Sequence, residues 1–262
     1  MLELVPPLAV VIGLAFAINW VAFVPAYLAR TERFYDLAGG FTYLTVVGVA
    51  LLLAPDRGPR EWVLATLVAL WAARLSSFLF GRIKRDGKDG RFDEIKQSAP
   101  RFLIAWTLQA LWVSLTALAM LIVLTQPSSH ALTLTDFIGW GVWLTGFVIE
   151  VVADRQKSAF RARPDTHGTW IDEGLWAWSR HPNYFGEIVL WTGICISAAT
   201  TFAGWQWIGL VSPLFVAYLL LKGSGVPLLE VRADKKWGGD AAYEAYKQRV
   251  PVLIPRPPRR GD

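Results

Sequence analysis

The feature that most constrains this chain is the recurrence of apolar runs of about 20 residues, the length that spans a bilayer as an α-helix. Seven runs occur, at approximately 4–29, 39–54, 62–81, 102–125, 134–152, 184–201 and 205–221. With 54% apolar residues and 14 tryptophans among 262 residues, the chain is too apolar for an ordinary soluble domain. We therefore predict an all-α, polytopic membrane protein with about seven transmembrane helices.

Lysine and arginine are unevenly distributed between the segments that connect these runs. They crowd segments 82–101, 155–180 and 222–260, whereas 126–133 and 200–204 contain none. Short cytoplasmic loops of membrane proteins are enriched in these residues. The asymmetry predicts a cytoplasmic C-terminus and, with seven crossings, an N-terminus outside. It also explains the net charge of +5 without a nucleic-acid partner.

Several kinds of site are not supported by the sequence. The single cysteine, Cys195, excludes an internal disulfide and a multi-cysteine metal centre. The three histidines are scattered, so no metal site is predicted. Neither a G-x-G-x-x-G nor a P-loop sequence occurs, which argues against a Rossmann or Walker nucleotide site. The first 29 residues lack the basic start and cleavage site of a signal peptide and favour a first span.

One short polar stretch, WAWSRHPNYFGE at 176–187, directly precedes an apolar run. Proline is tolerated in the first turn of a helix, so Pro182 is predicted to open one. Asn183 and Glu187 then lie at i and i+4 on one face, with Tyr184 three residues before Glu187. A polar triad on the first turn of a membrane helix indicates a site at the membrane edge. The alternative is an interfacial anchor, because Arg, His, Trp and Tyr all suit headgroup depth.

The C-terminal half carries further polar residues on the predicted cytoplasmic side. They are Asp154, Lys157, Arg161, Glu230, Tyr243, Tyr246 and Lys247. The first three recur at i, i+3 and i+7, which places them on one helical stripe. An anionic ligand with several phosphates and a flat ring would use such residues, because Arg binds phosphate as a fork and Tyr stacks on rings. Plain membrane topology explains the same basic residues without a ligand.

A few polar residues lie in or beside the apolar runs. Arg74 would cost about 3 kcal/mol at a helix centre unless it is paired, which favours a place inside the bundle over snorkelling. Asn19 and Gln109 are better explained as hydrogen bonds between helices than as catalytic groups. Asp36 either caps the second helix or, with Tyr35, lines the mouth of a cavity.

These residues together resemble a known family. The pattern comprises Asp154-x-x-Lys157-x-x-x-Arg161, SRHPNYFGE at 179–187, Gly225-x-Pro-x-x-Glu230 and Tyr243-x-x-Tyr246. It resembles the C-terminal half of the steroid 5α-reductase-like membrane reductases. The segments FYDLAG at 34–39 and GRIKRDGKDGRF at 81–92 are similar to a bacterial branch of that superfamily. Membrane sterol reductases carry a related segment, and isoprenylcysteine carboxyl methyltransferases share its shorter form, Arg-His-Pro-x-Tyr.

The resemblance implies a bacterial inner-membrane, multi-pass enzyme that holds NADPH on its cytoplasmic side. It implies hydride transfer to an electron-poor C=C bond of a lipid, as in a 3-oxo-5α-steroid 4-dehydrogenase. Within a single membrane domain, residues 1–126 would form the substrate side and 127–262 the cofactor side. The expected partners are NADPH, a small lipid substrate and membrane lipids.

The resemblance also assigns residues to roles. The expected cofactor-binding residues are Asp154, Lys157, Arg161, Arg180, His181, Asn183, Glu187, Glu230, Tyr243, Tyr246, Lys247, Arg74, Arg82 and Arg85. The expected catalytic residues are Glu187, Tyr184 and Tyr35. The expected substrate-binding residues are Asp36, Trp71 and Gln109.

One difference from the steroid 5α-reductases leaves the proton donor open. Those enzymes bind the enone oxygen with a Gln-Glu pair around the second span and a tyrosine on the third. Here the second span is introduced by Tyr35-Asp36, and Trp71 occupies the third-span position. An apolar bundle rich in tryptophan fits sterols, isoprenoids, quinones and fatty enones equally well as substrates. A methyltransferase that uses S-adenosylmethionine and a non-enzymatic lipid-binding protein are the alternatives.

Overall fold

The computed structural model describes residues 6–54, 57–87, 89–126 and 130–258, without the side chains of Arg85 and Asp86. It is 79% helical. Those ranges contain no β-strand, which confirms the predicted all-α class. The ten α-helices within them are α1 Pro7–Leu28, α2 Tyr35–Leu53, α3 Pro59–Asp86, α4 Ala99–Thr116, α5 Leu118–Leu124, α6 Leu134–Ala162, α7 Pro182–Ala199, α8 Val211–Tyr218, α9 Val226–Trp237 and α10 Ala241–Arg249.

Five helical segments are long and apolar enough to cross a membrane: Pro7–Leu28, Tyr35–Leu53, Pro59–Lys84, Leu134–Ala162 and Gly204–Trp237. Helices α4 and α5 would add a sixth if they cross together, although they meet at a bend of 61°. The multi-pass membrane character is thus supported. Helix α7 has 18 residues and is not among these segments, because Asn183 and Glu187 lower its apolar character. The seventh crossing, and with it the opposite placement of the termini, remains a prediction.

The chain divides into two compact units. The first comprises Met1–Asp136 with Ala198–Ser212, and the second comprises Phe137–Ser197 with Pro213–Asp262. The segment after α7 thus belongs to the first unit, although α7 itself lies in the second.

In the first unit, two buried polar residues join neighbouring helices. Asn19 on α1 donates a hydrogen bond to Thr42 Oγ1 on α2 (3.2 Å). Gln109 on α4 donates to the carbonyl oxygen of Tyr35 on α2 (2.8 Å). Both are the interhelical hydrogen bonds that the sequence favoured over a catalytic role. A Cβ atom on Gly39 would overlap the Gln109 side chain, so this glycine permits the close approach.

The first unit also contains a fully buried ion pair that the sequence did not indicate. Arg60, in the first turn of α3, contacts both carboxylate oxygens of Asp136 at 2.7 Å. Its remaining N–H groups donate to the carbonyl oxygens of His130 (3.2 Å) and Ala131 (2.9 Å). Both charged side chains are about 1% exposed or less. The pair therefore fixes the first turn of α3 to residues 130–136 of the same unit.

Candidate functional site

The second unit is organised by a close approach of α6 and α7. Gly139 lies opposite Gly193, and Gly146 lies opposite Gly186. A Cβ atom on Gly146 would be 2.5 Å from the carbonyl oxygen of Gly186, and one on Gly193 would be 2.5 Å from that of Gly139. Small residues let membrane helices approach closely, and a spacing of seven keeps each pair on one helix face. The two helices therefore pack in antiparallel orientation, nearly backbone to backbone.

This packing brings the polar stripe of α6 to the first turn of α7, which begins at Pro182 as predicted. Asn183 Nδ2 donates a hydrogen bond to Asp154 Oδ1 at 3.3 Å. Asp154 and Glu187 are both buried, at 6% and 8% exposure. Glu150, one turn before Asp154, is also buried and lies against Gly186. The helix pair thus carries three buried acids and one amide at one end.

The other two residues of the α6 stripe have different surroundings. Lys157 Nζ lies 4.2 Å from the centre of the Trp176 ring, a cation–π contact. Trp176 is held in turn because its indole N–H donates to the carbonyl oxygen of Ala153 at 3.0 Å. Arg161 is exposed near the end of α6. The stripe therefore runs from a buried carboxylate to an exposed guanidinium.

Arg180 and His181, just before α7, share one carboxylate on α9. Glu230 Oε2 lies 3.0 Å from Arg180 Nη2, and Glu230 Oε1 lies 2.7 Å from His181 Nε2. Burial lowers the pKa of His181, although the neighbouring Glu230 carboxylate opposes that shift. A neutral His181 satisfies Glu230 by donating its Nε2–H, which leaves Nδ1 as an acceptor. The His181 ring stacks on Tyr184, with 5.6 Å between ring centres.

Two polar atoms of this cluster are buried without a hydrogen-bond partner among the described residues. They are Arg180 Nε and His181 Nδ1. Such atoms are rare in folded proteins, and each calls for an explanation such as a functional role or an ordered ligand.

The C-terminal tail runs alongside the same segment. The Arg180 backbone N–H donates to the Pro251 carbonyl oxygen, and the Arg256 N–H donates to that of Trp178, both at 2.9 Å. The guanidinium of Arg180 donates to the Lys247 carbonyl oxygen at 3.1 Å. The tail is therefore attached to the residues that precede α7.

The two tail tyrosines are packed into an aromatic cluster. Tyr243 and Tyr246 surround Trp170, with ring centres 5.2 and 6.4 Å away. The Tyr246 hydroxyl donates to the Trp176 carbonyl oxygen (3.1 Å), and the Tyr243 hydroxyl contacts Asp234 (3.3 Å). Burial, with the nearby carboxylates, raises the pKa of Tyr243 to about 12, so it stays protonated at neutral pH. These tyrosines hold the tail in place in this conformation.

Lys247 is also engaged within the tail. Its ammonium group lies 2.8 Å from Asp234 and 3.2 Å from Glu244. The hydrogen bond to Asp234, together with Glu244, raises the pKa of Lys247. The charge of Lys247 is therefore partly compensated inside the protein.

The candidates in the first unit mostly make structural contacts. The Tyr35 hydroxyl donates to the carbonyl oxygen of Ala105 at 2.8 Å, so a proton donor role would require that bond to break. Trp71 is buried and packs edge-on against Tyr43. Asp36 lies 3.9 Å from Arg82 in a partly buried ion pair.

The remaining basic candidates of the first unit lie on α3 and in the loop beyond it. The guanidinium of Arg74 is 5.3 Å from the centre of the Phe78 ring. The side chain of Arg85 lies outside the described residues. In the loop, Lys96 pairs with the buried Glu32 at 2.6 Å. Burial would raise the pKa of Glu32, but Lys96 and the backbone N–H of Asp89 outweigh it and lower that pKa.

A large apolar groove lies on the first unit, among the helices that the sequence assigned to the substrate side. It has a volume of about 930 Å³ and is bounded by α1, α2 and α3. Its walls include Leu14, Val21 and Phe41, and Ser76 and Ser77 are polar members of its lining. The volume lies within the range of small-molecule sites.

The comparisons with known proteins identify distant relatives. The chain is 24% identical over 232 residues to the uncharacterized protein C594.04c of Schizosaccharomyces pombe, covering 75% of this chain and 64% of that protein. It is 26% identical over 165 residues to rat 3-oxo-5-alpha-steroid 4-dehydrogenase 1, covering 62% and 58%. A shorter match of 61 residues to the human protein of that name is 36% identical and covers 23% and 24%.

The chain thus spans about three-fifths of the length of the first two relatives. No solved structure matches it. The family model of DUF1295, a protein family of unknown function, matches residues 22–250. Because that match covers most of the sequence, this chain belongs to the DUF1295 family.

Proposed function

We propose that this protein is an NADPH-dependent membrane reductase that transfers hydride to the activated C=C bond of a lipid enone, steroid-like or otherwise. The observation that carries the proposal is the contact between Asn183 and Asp154, at the end of the α6–α7 pair. The similarity to rat 3-oxo-5-alpha-steroid 4-dehydrogenase 1 supports the same reaction class.

The residues of the second unit suit the chemistry of a pyridine dinucleotide. Its carboxamide needs both a hydrogen-bond donor and an acceptor, which Asn183 and Asp154 supply together. Its phosphates need cations, and Arg161 follows Asp154 on the same stripe, about 10 Å further along the helix axis. Lys157 lies between them and adds a second positive charge. The stripe therefore offers a polar end for the ring and a basic end for the phosphates.

Arg180, His181 and Glu230 have a different role in this proposal. They contact one another and the tail, and through these contacts they orient the first turn of α7. The side chains that face the ligand are then Asp154, Asn183 and, one turn along α7, Glu187.

The reduction consumes one hydride and one proton. NADPH, when bound, would supply the hydride that adds to the β-carbon of the enone. A side-chain donor stabilises the carbonyl oxygen, where negative charge develops. A proton then adds to the α-carbon, which leaves a saturated carbonyl product. Glu187 and Tyr184, both on the first turns of α7, are the candidate donors.

Binding of NADPH to the purified protein in nanodiscs tests the proposal. We expect saturable binding that Asn183→Ala and Arg161→Ala each weaken at least about tenfold, because each removes a group whose loss costs about 1.4 kcal/mol or more. Arg163→Ala is the matched control, since Arg163 is an exposed cation that pairs with Glu173 at 2.9 Å. Equal affinity in all three variants would remove this site from the proposal.

A methyltransferase that uses S-adenosylmethionine is the second candidate. The intact RHPNY segment at 180–184, assembled around Glu230, favours it. S-adenosylmethionine has no phosphate, so its binding should not respond to Arg161→Ala. Thermal stabilisation by S-adenosylmethionine alone would favour this candidate over the reductase, and stabilisation by neither cofactor would favour a non-enzymatic lipid-binding protein.

A further inference from the structure

Helix α9 is the C-terminal part of the last long apolar segment, Gly204–Trp237, and has two chemically distinct faces. It begins at Val226, after the segment of α8 and the π-helical turn Leu219–Gly223. At 12 residues it is about 18 Å long. An α-helix that leaves a membrane span in this way starts close to the headgroup layer.

The charged side chains on one face of α9 make contacts within the second unit. Glu230 holds Arg180 and His181, and Asp234, one turn later, contacts Lys247 at 2.8 Å. Both acids of α9 lie on this face. Their negative charges are therefore matched by cations of the same unit.

The opposite face carries exposed apolar and basic residues. Leu228 and Val231 are 45% and 54% exposed. Arg232, Lys235 and Lys236 follow them and are also exposed. At 100° per residue these five positions occupy one arc of about 140°, which excludes both acids. The face is thus apolar in its first turns and cationic in its last turns.

We propose that this outer face of α9 docks into the anionic headgroup layer of the membrane. Leu228 and Val231 lie at the boundary between acyl chains and headgroups, and the three cations pair with lipid phosphates. Lysine and arginine adopt such positions by extending their charged ends towards the interface. Basic juxtamembrane segments are attracted to anionic lipids in this way.

The charge pattern favours a lipid surface over a protein partner. All three titratable side chains of the outer face are cationic, whereas the two acids of α9 are ion-paired with Arg180, His181 and Lys247. Continuity with the preceding part of the apolar segment also brings this face to the membrane plane. The inference stands independently of the proposed reaction, because it uses no cofactor or substrate contact.

Spin labels test the depth of α9. The 262-residue chain carries Val231→Cys, or Asp240→Cys as an exposed control in the turn after α9, in nanodiscs with anionic lipid. The native Cys195 is 4% exposed and should label poorly. We expect the label at 231 to be relaxed by oxygen and shielded from a water-soluble nickel complex, with the reverse at 240. Equal exposure to the nickel complex at both positions would overturn the proposal.

A comparison of anionic with zwitterionic lipids tests whether lipid phosphates are the partner of this face. We expect the melting temperature of the wild type to be several degrees higher, roughly 3–8 °C, in nanodiscs with anionic lipid than in purely zwitterionic ones. Most of that difference should disappear in Arg232→Gln/Lys235→Gln/Lys236→Gln and persist in the charge-conserving Arg232→Lys/Lys235→Arg/Lys236→Arg. An unchanged lipid dependence in the neutralised variant would contradict docking to phosphates. Shielding of residue 231 in detergent, together with a doubled mass, would instead identify a second copy as the partner.

Discussion

Two charge clusters, one in each unit, differ in how completely their buried polar atoms are paired. Arg60 satisfies each of its guanidinium nitrogens, on Asp136 and on two backbone carbonyl oxygens. Arg180 and His181 share Glu230 but leave Arg180 Nε and His181 Nδ1 buried without a partner among the described residues. The cluster around Arg60 leaves no guanidinium nitrogen without a partner, and it stabilises the fold. The incompletely paired cluster directly precedes α7, whose first turn carries Asn183 of the proposed cofactor site, and its unpaired atoms call for an explanation such as a functional role.

The largest expected effect is the loss of stability when the ion pair between Arg60 and Asp136 is broken. Arg60→Met leaves the Asp136 carboxylate buried without its cation, and we expect a loss of about 3–5 kcal/mol in the free energy of unfolding. Denaturant titration in detergent measures it. Arg57→Met, at an exposed position, should change the free energy by less than about 0.5 kcal/mol. A similar small effect of both substitutions would show that the Arg60 cluster does not stabilise the fold.

A smaller loss should follow from separating α6 and α7. A Cβ atom on Gly146 meets the Gly186 backbone, so Gly146→Ala should destabilise the protein by about 1–3 kcal/mol and weaken NADPH binding through the displaced Asp154. Gly141→Ala on the same helix is the matched control, because a Cβ there meets nothing within 4 Å. Unfolding and NADPH titrations of both variants measure the contrast. Equal behaviour of the two would show that the glycine pairs do not set the helix spacing.

The smallest effect concerns the protonation of His181. Its charged neighbours are Glu230 on α9, Lys157 on α6 and the adjacent Arg180, and burial lowers its pKa. The folded protein then binds fewer protons than the unfolded chain just below the ordinary histidine pKa. Stability should therefore fall as pH drops from about 7 through the lowered pKa of His181.

Melting temperatures between pH 7.5 and 5.5 measure this dependence, with His181→Asn as the comparison. The substitution should flatten the profile in that window. The lowered pKa of Glu32 acts at more acidic pH, where stability is lost as its carboxylate becomes protonated. A profile that keeps its slope in His181→Asn would place the titrating group elsewhere.

The apolar runs were sufficient to predict most of the helices. Pro182 was sufficient to predict where α7 begins. The run at 102–125 gave no sign of the bend between α4 and α5, since it contains neither proline nor glycine near Ala117. Arg60 resembled an ordinary loop charge because its partner Asp136 lies 76 positions away in the sequence. Long-range pairing of this kind leaves no local signal.

The site was partly predictable for similar reasons. The spacing of Asp154, Lys157 and Arg161 predicted one stripe, and the structure places Asp154 beside Asn183. The glycines at 139, 146, 186 and 193, whose equal spacings of seven bring the helices together, carried a signal that the sequence interpretation missed. The sequence could not predict which backbone groups and aromatic rings contact Tyr35, Tyr243 and Tyr246, because these contacts depend on how the helices pack.

Mass spectrometry of the nucleotide released on denaturing the purified protein tests the central claim most directly. We predict NADP(H) in near-stoichiometric amount from the wild type after incubation with NADPH and desalting, and its loss from Asn183→Ala but not from Arg163→Ala. Retention of S-adenosylmethionine in a parallel incubation, or retention of NADP(H) by Asn183→Ala at the wild-type level, would contradict it.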